Sequence, residues 1–319
     1  MTLAQTLVNF RKANIPVLVF GPPGCGKSSA AKEAAEGDEL IDLRLSMLDP
    51  LDLRGLPIPK NDSVSWVRPE FLPREGKGIL LLDELNTAPP AVMNAALQLV
   101  LDRKCGPHQL PKDWWVMACG NRSQDKALVN TIPSPLLSRF AVINCTPNIK
   151  EWTAWATKSS INEDVIGFLN FRESLLYQEP SDNEYANFPT PRSWATVSKM
   201  IDYGMQENFD SVVGEGADIE FNAYRQSKKD LPDLDSVLNG NFDKLDNLKA
   251  SLMYAAVTGL ATRCIRNGEK ISNGIKAVSK FPPEMSALFI WMILSACPDK
   301  ALMNTDIAQW AKDNRKFFQ

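Results

Sequence analysis

Two runs of uninterrupted apolar residues punctuate the first half of the chain, each followed at once by polar chemistry. Residues 15–20 read Ile-Pro-Val-Leu-Val-Phe, and residues 79–82 read Ile-Leu-Leu-Leu. An unbroken apolar run of strand length suits a strand covered on both faces of a parallel sheet, because a half-exposed strand would alternate. Around these runs the period becomes helical. Leu3, Leu7, Val8 and Phe10 predict a short amphipathic helix over 3–12, and the Ala-, Lys- and Glu-rich stretch 28–36 predicts a helix closed by Gly37. Residues 39–45 read as a second strand. Thr87, Pro89 and Pro90 open a helix with a buried stripe of Val92, Met93, Ala96, Leu97 and Val100, ending near Arg103. Trp114 to Ala118 form a further strand that ends at Cys119, Gly120 and Asn121. A short proline-initiated helix over 132–140 and a fifth strand over 141–145 complete the series. Five strands alternating with helices specify a parallel, three-layer α/β domain.

Two regions depart from that rhythm. Residues 49–74 are rich in proline and charge and read as an irregular excursion between the second and third strands. From about 147 onward only helical patterns remain, with Trp152, Trp155, Ile166, Phe168, Leu169 and Phe171 among the apolar positions. The acidic segment 202–246 reads as loops around one helix at 219–226, and helices resume at 245–266, 283–296 and 305–317. The expected division is an α/β domain over 1–147 and an all-α domain over 148–319.

Between the first strand and its helix stands GPPGCGKS, residues 21–28, in the order strand, glycine loop, helix that a Walker A phosphate loop requires. Gly21, Pro22, Pro23, Gly24, Cys25 and Gly26 form the loop, whose backbone N–H groups turn inward around a polyphosphate. Lys27 reaches the outer phosphates, Ser28 ligates Mg²⁺, and Ser29 follows in the first helical turn. The second apolar run ends in Asp83 and Glu84, which places two carboxylates at the C-terminal edge of the sheet beside that loop. Asp83 is suited to hold the Mg²⁺ shell opposite Ser28, and Glu84 to polarise an attacking water. Asn121 falls at the same edge, where its amide serves either the water and outer phosphate or simple turn chemistry.

Composition narrows the classes. With 319 residues, 44% hydrophobic and 23% charged, the chain has the balance of a soluble globular protein of two domains. A net charge of −3 supplies no overall positive field for nucleic acid or an anionic membrane. Cys25, Cys105, Cys119, Cys145, Cys264 and Cys297 lack CxxC spacing, so reduced thiols are expected, without disulfides or zinc. No apolar stretch reaches the length of a membrane span and no secretory signal is read at the start, so the expected location is cytoplasmic. His108 reads as a turn residue, the Trp114–Trp115 pair as strand core plus surface cover, and Cys25 as an inert loop thiol with nothing beside it built to lower its pKa.

The succession GPPGCGKS, LLLDELN, ACGNR, SPLLSRF and TPRSW, spread over 15–194, resembles the AAA+ ATPases, and specifically their MoxR-like branch. The stretch LDELNTAPPAVMNAALQLVLDRKCGPHQLP carries the branch-level likeness. The resemblance implies a P-loop αβα core with a five-stranded parallel sheet followed by an all-α lid, and ATP with Mg²⁺ as cofactors. It implies Asn121 as sensor 1, Arg139 as an arginine finger reaching a neighbour's γ-phosphate, and Arg192 as sensor 2 in the lid. Arg122 competes with Arg139 for an intersubunit role. It further implies a homo-oligomeric ring, a hexamer, acting on a protein client, with a von Willebrand factor A domain protein as the kind of partner. Asp52, Leu53, Arg54 and Gly55 fall in the insertion that distinguishes the branch, and Cys25 stands where the family usually has Thr or Ala. The resulting expectation is a ring ATPase that remodels a protein client. A nucleic-acid motor and a nucleotide-gated scaffold are the competing readings.

Overall fold

The structure, a computed structural model, describes residues 2–122, 129–179, 186–267 and 270–315. The chain divides into two units, Met1–Thr146 and Pro147–Gln319. The first runs α1 (Leu3–Lys12), β1 (Val17–Phe20), α2 (Lys27–Ala34), β2 (Glu39–Arg44), α3 (Pro50–Arg54), β3 (Leu56–Lys60), β4 (Ser63–Val67), β5 (Gly78–Asp83) and α4 (Pro90–Asp102). It continues with β6 (Lys104–Cys105), β7 (His108–Gln109), β8 (Trp114–Gly120), α5 (Ser134–Leu137) and β9 (Ala141–Asn144). Five strands lie parallel in the order β2-β5-β8-β1-β9.

Successive strand residues point to opposite faces, so each apolar run feeds two cores. Val17, Val19, Ile79, Leu81 and Met117 pack with Leu7 of α1 and Ala31 and Ala34 of α2. Leu18, Leu80, Leu82, Val116 and Ala118 pack with Val92, Met93, Ala96 and Leu99 of α4. Three layers result. The paired tryptophans follow the same rule: Trp114 enters the α4 core and Trp115 the α2 core. Both are buried, so neither is surface cover, and their indole N–H groups donate to Glu75 O at 3.0 Å and Ile15 O at 2.8 Å. Arg11, in the last turn of α1, donates to Ala34 O and Ala35 O at the end of α2 and pairs with Asp38 at 2.5 Å.

The excursion over 49–74 is more ordered than its prolines suggested. Asp49 caps α3 through a box completed by Asp52, with Pro50 in the first turn where its missing N–H costs nothing. An antiparallel hairpin of β3 and β4 follows, with Pro57 opposite Trp66 and Pro59 opposite Val64. Proline cannot donate to a ladder, but two prolines spaced by two occupy alternate pairs, and those can be the pairs that exchange no hydrogen bond. The Gly106-Pro107 turn likewise belongs to a small hairpin, β6 with β7. The helix expected over 132–140 shortens to α5, leaving Arg139 two residues beyond its end.

Among the described residues the regular elements of the second unit are helical: α6 (Ile149–Lys158), α7 (Glu163–Phe171), α8 (Pro191–Asp202), α9 (Asp210–Val213), α10 (Glu215–Ser227) and α11 (Leu234–Leu238), then α12 (Ala250–Asn267), α13 (Ile271–Val278), α14 (Pro283–Ala296), α15 (Pro298–Met303) and α16 (Thr305–Asp313). Its core contains an aromatic cluster in which Phe168 meets Trp194 at 5.4 Å and Phe221 at 5.2 Å. The acidic segment holds three α-helices and a 3₁₀ turn instead of one helix. α9 and α11, of four and five residues, are too short to display a period, and Gly214, at φ 82°, links α9 to the longer α10. The last helix ends at Asp313 with Asn314 as its C-cap, short of the expected 317; residues 316 and 317 lie outside the described residues.

Candidate functional site

The glycine loop runs from the end of β1 to α2 and is shaped by positions only glycine fills easily. Gly24 and Gly26 have φ of 75° and 93°, and a Cβ on Gly21 would stand 2.7 Å from Cys145 O. Gly26 caps α2 without a side-chain acceptor, so the first N–H groups of the helix have no side-chain cap. Lys27, only 9% exposed, folds its ammonium onto Gly21 O at 2.7 Å, Pro22 O at 3.0 Å and Asn121 Oδ1 at 3.3 Å. All three partners are neutral. A buried cation whose hydrogen-bond acceptors are all neutral is costly, and an anion in the loop would relieve it. The donor set therefore fits a phosphate.

The second apolar run delivers the acids. Ser28 Oγ donates to Asp83 Oδ2 at 2.9 Å, and Glu84 N donates to Asp83 Oδ1 at 2.8 Å. Ser28 and Asp83 thus form an all-oxygen pair of the kind Mg²⁺ takes. Asp42, next along the sheet, has its carboxyl pushed upward by burial and by the charge of Asp83. Glu84 sits in the left-handed region at φ 57°, with Thr87 Oγ1 donating to its carbonyl at 2.9 Å. Its carboxylate is held by the hydroxyl of Ser46, which lies in a single 3₁₀ turn between β2 and α3.

Asn121 is fixed by a neighbour that sequence reasoning missed. The buried amide of Asn86 accepts from Asn121 N at 3.0 Å and donates to Asn121 O at 2.7 Å. This reciprocal clamp sets the end of β8 and lets the Asn121 side chain meet Lys27. Asn86 lay within LDELN, but only the pairing of β5 with β8 brings it to Asn121. Ser46 carried no local signal at all.

The structure brings together Lys27, Ser28, Asp83, Glu84 and Asn121, with Gly21, Pro22, Pro23, Gly24, Cys25 and Gly26 as the loop and Ser29 exposed behind them. Arg139 is exposed, and Arg122 is half-buried, with its charge acting on Cys25. Arg192 belongs to the other unit, exposed in the first turn of α8. In the insertion, Leu53 is buried and Gly55, at φ 87°, lies where a Cβ would stand 1.9 Å from Val67 O.

Cys25 is not the inert thiol its sequence neighbours suggested. A hydrogen bond from Cys145 and the charge of Lys27 outweigh burial and lower its pKa to about 7. Cys105 is pushed up to about 11 by burial, and Cys119 is raised further for the same reason. His108 lies in β7 with its Nε2 buried and unbonded, and burial lowers its pKa. Among the described residues no group of three His, Cys, Asp or Glu side chains is placed to hold a metal, and no helix is long and apolar enough to cross a membrane.

No family model matches the chain. Over 93 residues it is 37% identical to Midasin from Giardia intestinalis, a stretch covering 28% of this chain and 2% of that protein. The chain thus spans a small fraction of the length of this curated relative. Among solved structures, NtrX from Brucella abortus in complex with ATP is similar with a TM-score of 0.43 and 14% identity, over 87% of this chain and 67% of that one. The Thermotoga maritima RuvB Holliday junction branch migration motor is similar with a TM-score of 0.40 and 16% identity, over 76% and 74%. Likenesses of this size carry no conclusion about activity.

Proposed function

We propose that the chain is a P-loop ATPase, and within that class an AAA+ module of the MoxR-like branch that works as a ring on a protein client. The observation that carries the reading is the convergence of a buried Lys27, hydrogen-bonded to neutral acceptors, with Ser28, Asp83, Glu84 and Asn121 at one edge of a parallel sheet. In this reading Lys27 and the loop N–H groups bind the polyphosphate, and Ser28 and Asp83 would hold Mg²⁺. The ion supplies charge neutralisation at the phosphates when bound. Glu84 accepts a proton from the attacking water, and Asn121 orients that water or the outer phosphate.

Arg139, exposed on the same unit, is suited to act on a neighbouring subunit's nucleotide, where its fixed guanidinium fork matches phosphate oxygens. Arg192 would report nucleotide state to the helical unit. A hexameric ring and a von Willebrand factor A domain partner extend this reading to assembly and client. The test is paired substitution. Lys27→Ala is expected to lose ATP binding, whereas Glu84→Gln retains it and loses hydrolysis. Hydrolysis by Glu84→Gln at the parental rate would remove Glu84 from its role, and DNA-stimulated hydrolysis by the parent would move the client from protein to nucleic acid.

A further inference from the structure

We infer that Cys25 and Cys145 form a peroxide-responsive thiol pair, so that oxidation joins them in a disulfide across the phosphate loop and closes it to nucleotide. Cys25 lies in the loop itself; Cys145 follows the last residue of β9 and extends the ladder, its N donating to Phe20 O at 2.6 Å. The two side chains already meet. Cys145 Sγ reaches Cys25 O at 3.7 Å, and the Cys145 side chain is near enough to the Cys25 thiol to lower its pKa. Both also border the space left by the missing side chain of Gly21: a Cβ there would lie 2.9 Å from Cys25 Sγ and 3.1 Å from Cys145 Cβ. Glycine at this position therefore lets the two cysteines approach each other.

The division of labour between them follows from exposure. Cys25 is half-buried but more accessible than Cys145, with the Lys27 ammonium nearby, and its pKa of about 7 provides thiolate at neutral pH. Cys145 is buried behind it and is placed as the resolving thiol. In the first step the Cys25 thiolate attacks one oxygen of a hydroperoxide, the O–O bond breaks, and the departing alkoxide or hydroxide takes up a proton, leaving Cys25 as a sulfenic acid. In the second, the Cys145 sulfur attacks the Cys25 sulfur and the S–O bond breaks. The Cys145 proton leaves with the hydroxyl as water. Two thiols and one hydroperoxide thus become one disulfide, one alcohol or water, and one further water.

Two unbonded sulfurs stand wider apart than the roughly 2.05 Å of a disulfide, so the loop must draw toward β9 as the bond forms. The crosslink would form beside Gly21, whose carbonyl, with that of Pro22, holds Lys27. The effect on nucleotide rests on the function proposed above; the disulfide itself does not.

The experiment treats the reduced full chain with stoichiometric hydrogen peroxide and maps its tryptic peptides. Residues 13–27 and 140–150 each carry one of the two cysteines. A crosslink between these peptides is expected, reversed by dithiothreitol, and absent from Cys25→Ser and Cys145→Ser. In Cys145→Ser the oxidation should stop at a Cys25 sulfenic acid that dimedone traps, which also shows that the variant is folded around a reactive Cys25. Coupling of Cys25 to Cys119, or oxidation of Cys25 no faster than of Cys297, which is also half-buried, would overturn the pair. A fluorescent ATP analogue should bind at least tenfold more weakly after oxidation and recover on reduction. Unchanged binding in crosslinked protein would overturn the closure. If the analogue binds neither form while the crosslink appears, the nucleotide reading fails and the thiol pair stands.

Discussion

Substituting Ser46 by alanine should speed hydrolysis, and the structure bounds by how much. Ser46 Oγ holds the Glu84 carboxylate, the group proposed to accept a proton from water. A carboxylate engaged this way must give up the bond before it can act, and a hydrogen bond to an ionised group contributes about 1.5–3 kcal/mol. Both residues are half-buried, so solvent replaces part of that bond and the lower end applies. About 1.5 kcal/mol of barrier corresponds to a rise in kcat of roughly tenfold. Steady-state phosphate release by the parent and by Ser46→Ala measures it, with Lys27→Ala as the blank and nucleotide affinity measured separately. Affinity should stay within about twofold, because Ser46 bonds Glu84 and not Lys27 or the loop. If Ser46→Ala were slower than the parent at unchanged affinity, the hydroxyl would be aiming Glu84, not restraining it, and the reasoning would be refuted.

Asn86→Ala removes both bonds of the clamp on Asn121, at a cost of about 1–3 kcal/mol of local stability, and should lower kcat far more than nucleotide affinity. An equal loss in both would mean that Asn86 supports the fold of the loop instead of the orientation of Asn121. Gly55→Ala forces a Cβ onto Val67 O from a backbone conformation that favours glycine, and should cost about 2–5 kcal/mol in the insertion. Hydrogen exchange should then show lost protection in β3 and β4 with β5 and β8 unchanged; full protection throughout would contradict the contact.

The parts of the fold that could be read from the chain were those with long, unambiguous periods. The runs at 15–20 and 79–82 became β1 and β5 because a parallel strand covered on both faces needs continuous apolar side chains. The glycine loop was readable because its function depends on backbone conformations that restrict residue type. What stayed hidden depended on tertiary pairing. Asn86 becomes a clamp only when β5 lies beside β8, and Cys145 becomes a partner of Cys25 only when β9 lies beside β1. The β3–β4 hairpin was misread because proline was weighed residue by residue, whereas its spacing of two decides whether a ladder survives. α9 and α11 were missed because four or five residues complete too little of a turn pattern to show one.

That spacing has a second effect, on what the hairpin does to its surroundings. Leu56, Ile58, Val64 and Val67 are all exposed on a short ribbon, the composition of a segment that recruits other strands and aggregates. Where an antiparallel pair exchanges no bond, the N–H of each residue points away from its partner, toward the open edge. Pro57 and Pro59 occupy those positions on β3 and have no N–H to present. A strand approaching that edge meets acceptors without donors over the middle of its length. The ribbon can thus keep its apolar side chains in water with one border unable to template a sheet.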